Sequence, residues 1–184
     1  MKKLIVLGLL TVFAFACKSE KGEEKEKEAE VNSMKVKTAE ELDKGAANLD
    51  KLLEQNMPKI DKQQYITAIN THYEFAQNYP DHEKAAYHLD KAQGYCTQIK
   101  DFARSEKMLA QLFRDYPEYA SRNNGLLYYK RASNLDFVLG ENERNGKTYK
   151  RLAKEIYTEF IEKFPTNQLV NDAKYRLETI DMSA

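Results

Sequence analysis

DFARSEKMLAQLFRDYP, residues 101–117, is the stretch whose reading decides the fold. Phe102, Ser105, Leu109, Leu112 and Phe113 recur at intervals of three and four, which places them on one face of a helix about four turns long. Pro117 has no amide hydrogen and cannot continue that helix, so the chain turns at Tyr116-Pro117. The same design closes QQYITAINTHYEFAQNYP at Pro80 and TYKRLAKEIYTEFIEKFP at Pro165. Three amphipathic helices that each stop at an aromatic residue followed by proline make this a repeat protein.

Working outward, the spacing predicts a first helix from about Thr38 to Gln55. Thr38 and Glu41 form its capping box, and Leu42, Leu49, Leu52 and Leu53 its apolar stripe. A second helix, about 61–78, stacks Tyr65, Ala68, Ile69 and Phe75. Asp81 is placed as cap of a third, about 82–99, carrying Ala85, Leu89, Ala92 and Cys96. The opening stretch is the fourth. A fifth helix is expected over 118–139 with Leu126, Tyr129, Ala132 and Leu135 inward and Gly140 as C-cap. A sixth spans about 147–164, and Asn167 caps a last helix to about Ile180 bearing Leu169, Ala173, Tyr175, Leu177 and Ile180. The proline stops are 37 and then 48 residues apart. The first spacing matches a helix-turn-helix repeat; the second leaves room for a longer turn at 140–146 and a lengthened helix. A hairpin with apolar residues on two sides cannot bury them alone, so stacking must make the core.

Composition agrees. Seven Gly, four Pro, few β-branched runs and abundant Ala, Leu, Glu and Lys point to an all-α domain. The chain holds 29 basic and 29 acidic residues. The first sixteen residues contribute Lys2 and Lys3 and no acid, so the rest of the chain is slightly acidic, with no basic field for nucleic acid. No Gly-rich phosphate loop, nucleophile elbow or serine with a plausible base is present, and the chain reads as non-catalytic. His82-Glu83 and His88 are six residues apart, a rotation of about 600°, rather than the four that place two ligands on one helix face. No metal and no cofactor are expected, and His72 reads as a partly buried structural residue.

At the start, Met1-Lys2-Lys3 precedes an apolar run from Leu4 to Ala16, too short to span a bilayer but the right length for a secretory signal core. Cys17 comes directly after it. Residues 1–16 with Cys17 resemble a bacterial lipoprotein signal, in which the cysteine becomes the lipidated first residue; Ala14 and Phe15 depart from that motif and Ala16 fits it. An ordinary cleaved signal with an incidental cysteine is the alternative, and it leaves the charged segment immediately after Cys17 unexplained. Lipidation would leave Cys96 alone, a small hydrophobe on its helix. From Lys18 to Lys37 the chain carries six Lys, six Glu and no aromatic residue, the composition of a flexible tether. Lys18-Ser19-Glu20 resembles the surface-export signal of Bacteroidota lipoproteins. The domain plan is signal 1–16, lipidated Cys17 and tether 17–37, and repeat domain 38–180.

The helices ending in Pro80, Pro117 and Pro165 resemble the second helix of tetratricopeptide repeats. Tyr65 or Phe102 is the aromatic at the turn and Ala68 or Ser105 the small residue three later; in the third copy Lys150 replaces the aromatic, while Ala153, Tyr157 and Phe160 keep the pattern. The endings YEFAQNYPDHEKAAYHL and YTEFIEKFPTNQLVNDAKYRL are similar to repeats of outer-membrane assembly lipoproteins and periplasmic envelope-coordinator proteins. The resemblance implies a short α-solenoid of about three hairpins plus a C-terminal capping helix. It also implies a lipid-anchored outer-membrane scaffold, facing periplasm or cell surface, that binds envelope proteins. First helices line the groove of such repeats, which makes Tyr87, Asp90, Asn124, Tyr128 and Arg131 the candidate partner-binding residues, with inter-repeat packing as the competing role for the tyrosines. A peptidoglycan- or polysaccharide-binding accessory is the alternative, favoured by an open aromatic platform with nearby carboxylates; a groove of mixed polar side chains favours the scaffold.

Overall fold

A computed structural model describes residues 37–55, 61–142 and 144–182. The expected signal, Cys17 and nearly all of the tether lie outside the described residues, as does Pro58. The described part is all-helical, with no strand among the described residues. Its elements are α1 Ala39–Gln55, α2 Lys62–Asn78, α3 Ala85–Gln98, α4 Phe102–Asp115, α5 Pro117–Ala120, α6 Arg122–Asn134, a π-helical segment Leu135–Leu139, α7 Gly140–Asn142, α8 Gly146–Lys163 and α9 Val170–Thr179. Neighbours in sequence pack as neighbours in space: α1 on α2, α2 on α3, α3 on α4, α6 on α8 and α8 on α9. Among the described residues no helix is long and apolar enough to cross a membrane.

Local chemistry sets the helix starts. Glu41 N–H donates to Thr38 Oγ1 at 3.2 Å and Thr38 N–H to Glu41 Oε2 at 2.8 Å, the expected capping box. Asp61 and Gln64 repeat the arrangement at α2, each cap contributing about 1 kcal/mol. Asp101 caps α4 by accepting from Arg104 N–H at 3.2 Å.

The aromatic-proline stops share one backbone geometry. Tyr79, Tyr116 and Phe164 have φ/ψ of −132/58, −135/58 and −129/54, and their N–H groups close on the carbonyls of Phe75, Leu112 and Phe160. Each stop is also fastened to the start of its own hairpin. Tyr79 hydroxyl donates to Lys37 O and Tyr116 hydroxyl to Pro80 O, both at 2.7 Å. Phe164, lacking the hydroxyl, lies against Gly125 instead, and Asn167 Nδ2 three residues on donates to Asn124 O at 2.6 Å. The loops after Tyr79 and Phe164 are copies of one another. His82 Nδ1 accepts from Lys84 N–H (3.1 Å) as Asn167 Oδ1 accepts from Leu169 N–H (2.8 Å). Asp81 and Asn167 therefore do not cap the following helices, which begin three and two residues later than expected, at Ala85 and Val170.

The expected single helix over 118–139 is broken. Asn123, Asn124 and Gly125 take φ of 53°, 54° and 76°, a left-handed turn between α5 and the body of α6. Asn and Gly are the residues that adopt this conformation most readily. Beyond the break Ala132 and Leu135 are buried as expected, Tyr128 and Leu139 join them, and Leu126 and Tyr129 are half-buried. Gly140 is not a left-handed C-cap; its φ is −64° and the chain continues through it in helical conformation. The π-helical turn before it buries Asp136, whose carboxylate receives Arg176 in a two-point contact at 2.8 and 3.0 Å.

The core runs from Ile69 on α2 to Ile180 beyond α9, with Phe160, Tyr157, Leu112 and Leu135 fully buried. Two expected core positions are not in it: Leu52 is 38% and Tyr175 63% exposed. On α1 the inner position one turn from Leu53 is taken by Asp50. At the end of α3, Lys100 sits at φ 62°, the left-handed position where glycine avoids the Cβ clash. Lys100→Gly is expected to stabilise the protein by about 1 kcal/mol, measured as a higher urea midpoint at unchanged m.

Candidate functional site

Two polar features stand out, one buried and one open, and they share side chains of α3. The buried one begins on α1, where Asp43 and Asp50, two turns apart, face α2 and α3. His72 of α2 and His88 of α3 are both fully buried. His72 Nε2 lies 2.9 Å from Asp50 Oδ1, His88 Nε2 3.2 Å from Asp43 Oδ1, and the two Nδ1 atoms 2.9 Å apart. The result is a chain of carboxylate, imidazole, imidazole and carboxylate through three helices.

Its protons can be counted. Each Nε2 must donate, because its partner is a carboxylate oxygen. The Nδ1···Nδ1 contact needs one donor and one acceptor. That makes three N–H groups on two rings, whereas two neutral imidazoles supply only two. One added proton, between the Nδ1 atoms, would satisfy all three contacts. Lys84 and Lys91 set one ammonium against each carboxylate, at 2.6 Å from Asp43 and 3.3 Å from Asp50. The Lys84 hydrogen bond, opposed by desolvation and assisted by His88, holds Asp43 below the usual carboxylate range. For Asp50, burial acts upward, but hydrogen bonds from His72 and Tyr95 outweigh it and hold the group well below that range. Burial and then the charge of His72 push His88 down to about 4. A second proton on the pair would set two donors against each other, which is the chemical reason for the same direction.

This arrangement joins helices. Phe75 stacks on the His88 ring with centroids 3.8 Å apart, and the network ties α1 to α2 and α3 where the apolar stripe of α1 is thin. His72 was expected to be partly buried; it is completely buried and charge-coupled to a second histidine that sequence reasoning left unassigned.

The open feature is a groove between α3 and α6. One concavity of about 330 Å³ is lined by Tyr87, Asp90, Lys91, Tyr95 and Tyr119. Another, of about 320 Å³, is lined by Thr97, Tyr129, Ser133 and Asn134. They are contiguous, both including Gln93, Gly94, Gln98 and Lys130. Asp90 accepts from Gln93 Nε2 at 2.8 Å and from Tyr119 hydroxyl at 3.1 Å. Lys91 lies over the Tyr95 ring at 5.7 Å while paired with Asp50. Tyr95 hydroxyl donates to Asp50 at 2.6 Å, which couples the groove wall to the buried network; burial, with Asp50 behind it, raises the Tyr95 phenol.

Of the five candidate residues, the structure brings Tyr87 and Asp90 together in this groove. Tyr128 is 3% exposed and sits between Phe113 and Phe164, at 4.5 and 5.2 Å. Arg131 is committed to Glu106 by a two-point contact at 2.6 and 3.0 Å and covers the Phe113 ring. Both are packing residues, held by Phe113 and Glu106 of α4 and by Phe164 after α8. Asn124 belongs to that turn, exposed and outside the lining of the groove. Gly94, Gln98, Lys130 and Asn134 were missed. Comparison with protein-family models, curated proteins and solved structures finds no match to this chain.

Cys96 is buried, its thiol pushed up to about 11 by its surroundings, and its sulfur lies 4.0 Å from that of Met108. It packs as a small hydrophobe.

Proposed function

We propose that this chain is a non-catalytic binding scaffold, held at the bacterial outer membrane by a lipid on Cys17, that engages envelope proteins through the α3/α6 groove. The finer reading of the fold goes with it: a short tetratricopeptide-type α-solenoid of about three hairpins with α9 as cap. The repeated stop geometry and the fastening of Tyr79 and Tyr116 to the starts of their own hairpins support that reading.

One observation carries the choice of a polypeptide partner. The groove is walled by amides, hydroxyls, the Asp90 carboxylate and the ammonium groups of Lys91 and Lys130, and three of its four tyrosine rings are packed against other side chains, Tyr87 being the exposed fourth. Tyr119 is covered by Arg122 at 4.7 Å. Tyr95 packs against Tyr65 and His72, and Tyr129 against Tyr157 and Phe160. A sugar ring needs a free aromatic face; a peptide needs hydrogen-bonding side chains along a channel. Lipidation supplies the anchor, since acyl chains added to one terminus are enough to hold a protein at a membrane.

In-cell crosslinking of the tagged full-length chain, followed by mass spectrometry, tests both parts. Envelope proteins are expected among the adducts, and Cys17→Ala is expected to move the protein from the membrane to the soluble fraction. Cys17→Ala protein that still sediments with membranes contradicts the anchor. Adducts with cell-wall glycan alone contradict the scaffold in favour of a glycan-binding accessory.

A further inference from the structure

We propose that the groove is cut for an extended acidic polypeptide segment, with Gly94 as its floor and the Lys130 ammonium as the anchor for a carboxylate side chain. This rests on the reading of the groove as a polypeptide site and adds which residues select the partner.

Gly94 lies in the interior of α3, where glycine weakens a helix relative to alanine. A fold reason for it would be a neighbour too close for a side chain. There is none: a Cβ built on Gly94 meets nothing within 4 Å. Its conformation does not require glycine either, since it is not among the described residues with positive φ. The missing side chain leaves open space, and that space is the floor shared by both concavities. A helix that gives up stability to keep its backbone bare in a groove admits the close approach of another backbone.

The walls specify what approaches. Gln98 stands one turn after Gly94 on α3, and Asn134 one turn after Lys130 on α6. Among the described residues the side chains of Gln98, Lys130 and Asn134 make no hydrogen bond or ion pair, while those of their neighbours are committed: Gln93 to Asp90 and Ser105, Thr97 to Gln93 O and Ser105. Two side-chain amides that both donate and accept match the alternating groups of an extended peptide. The charges decide the rest. Lys91 is paired with Asp50, and Asp90 accepts only from the neutral donors Gln93 and Tyr119, so its negative charge stays at the first concavity and the acidic side chain belongs in the second. In the concavity of Thr97 and Ser133, Lys130 is the one charged group among the described residues of the lining. The carbonyls at the end of α3 do not oppose an anion there, because Ile99, Lys100 and Asp101 N–H groups close on Tyr95, Thr97 and Cys96 O. An acidic side chain beside Lys130 completes the site.

The test selects a random twelve-residue peptide library on the full-length chain, then measures the synthesised winners against Gly94→Ala and Lys130→Glu. The winners are expected to carry Asp or Glu and to bind Lys130→Glu about tenfold more weakly. Gly94→Ala is expected to melt about 3 °C higher and yet to bind at least fivefold more weakly, a combination that a purely structural glycine would not give. Winners without acidic residues, or winners that bind both variants as well as the parent, overturn the inference; if those peptides still crosslink to Gln98, the polypeptide groove stands without it. A library from which nothing is enriched contradicts both.

Discussion

Gly125→Ala is expected to destabilise the protein by about 3 kcal/mol, a large effect for a single methyl group. Two penalties coincide at this residue. Its φ of 76° lies in the left-handed region, where an L side chain costs about 1–2 kcal/mol. An alanine Cβ would also stand 2.2 Å from Phe164 Cδ2 and 2.5 Å from Cε2, so the ring that ends the third hairpin must move, at an overpacking cost of about 1–3 kcal/mol. Urea unfolding measures the sum. Asn124→Gly, at φ 54° one residue earlier, is the control and should be neutral or slightly stabilising. A double-mutant cycle separates the two penalties: Phe164→Ala should cost less in the Gly125→Ala background than in the parent, with a coupling of about 1–2 kcal/mol. Additive effects would mean that Phe164 does not seat on the left-handed turn.

Removing one histidine of the buried pair has the second large effect. His72→Ala leaves His88 Nδ1 unpaired in the interior and takes one partner from Asp50, which keeps Tyr95 and Lys91; breaking a buried ionic network from one side costs about 3 kcal/mol. The pH dependence carries the more specific signature. Burial and the charge of His72 hold His88 near 4 in the fold, against about 6.5 for an unfolded histidine. Between those values the unfolded chain binds the extra proton and the fold does not, so stability falls as pH falls from about 6.5 to 4. One proton gives a slope of at most about 1.4 kcal/mol per pH unit. Asp43 and Asp50, held below their ordinary range, add a second loss only below about pH 4, where unfolded carboxylates begin to take protons. Around the pair stand Asp43 and Asp50 from α1 and Tyr87, Lys91 and Tyr95 from α3, with Lys84 at the start of that helix and His82 against Phe75. Lys84 and Lys91 keep their charge throughout this range. His88→Leu should therefore flatten the loss between pH 6.5 and 4 while leaving the one below 4, as followed by thermal unfolding at stepped pH. A slope unchanged by His88→Leu would place the titrating group elsewhere.

How much of the fold and the groove was legible in the sequence depends on how local each signal is. The capping box of Thr38 and Glu41, the stripe of α4 and the aromatic-proline stops lie within a few residues of chain, and they appear as read. Asn123-Asn124-Gly125 was a local signal too, three residues of the kind that accept positive φ, but the apolar pattern on either side read through it. That one break hid the seating of Phe164 on Gly125, although Ala132 and Leu135 beyond it lie inward as read; Tyr128 and Arg131 pack on Phe113 instead of lining the groove. The buried pair was not legible because it needs three helices: His72 and His88 are sixteen residues apart, and their carboxylates come from α1. The one hint was Asp50, in phase with Leu42, Ala46 and Leu53 on the face that packs. Gly94 looked like a weak spot in a helix, and only the empty space above it says otherwise.

The groove between α3 and α6 is the proposed meeting surface for a polypeptide. A photo-crosslinking residue placed at Gln98, at Asn134 and, outside the groove lining, at exposed Lys107 of α4 tests it most directly when each full-length variant is irradiated in cells and its adducts are identified. The expected result is the same polypeptide adduct from Gln98 and Asn134 and none of it from Lys107. Adducts from Lys107 with none from the two groove positions would contradict it.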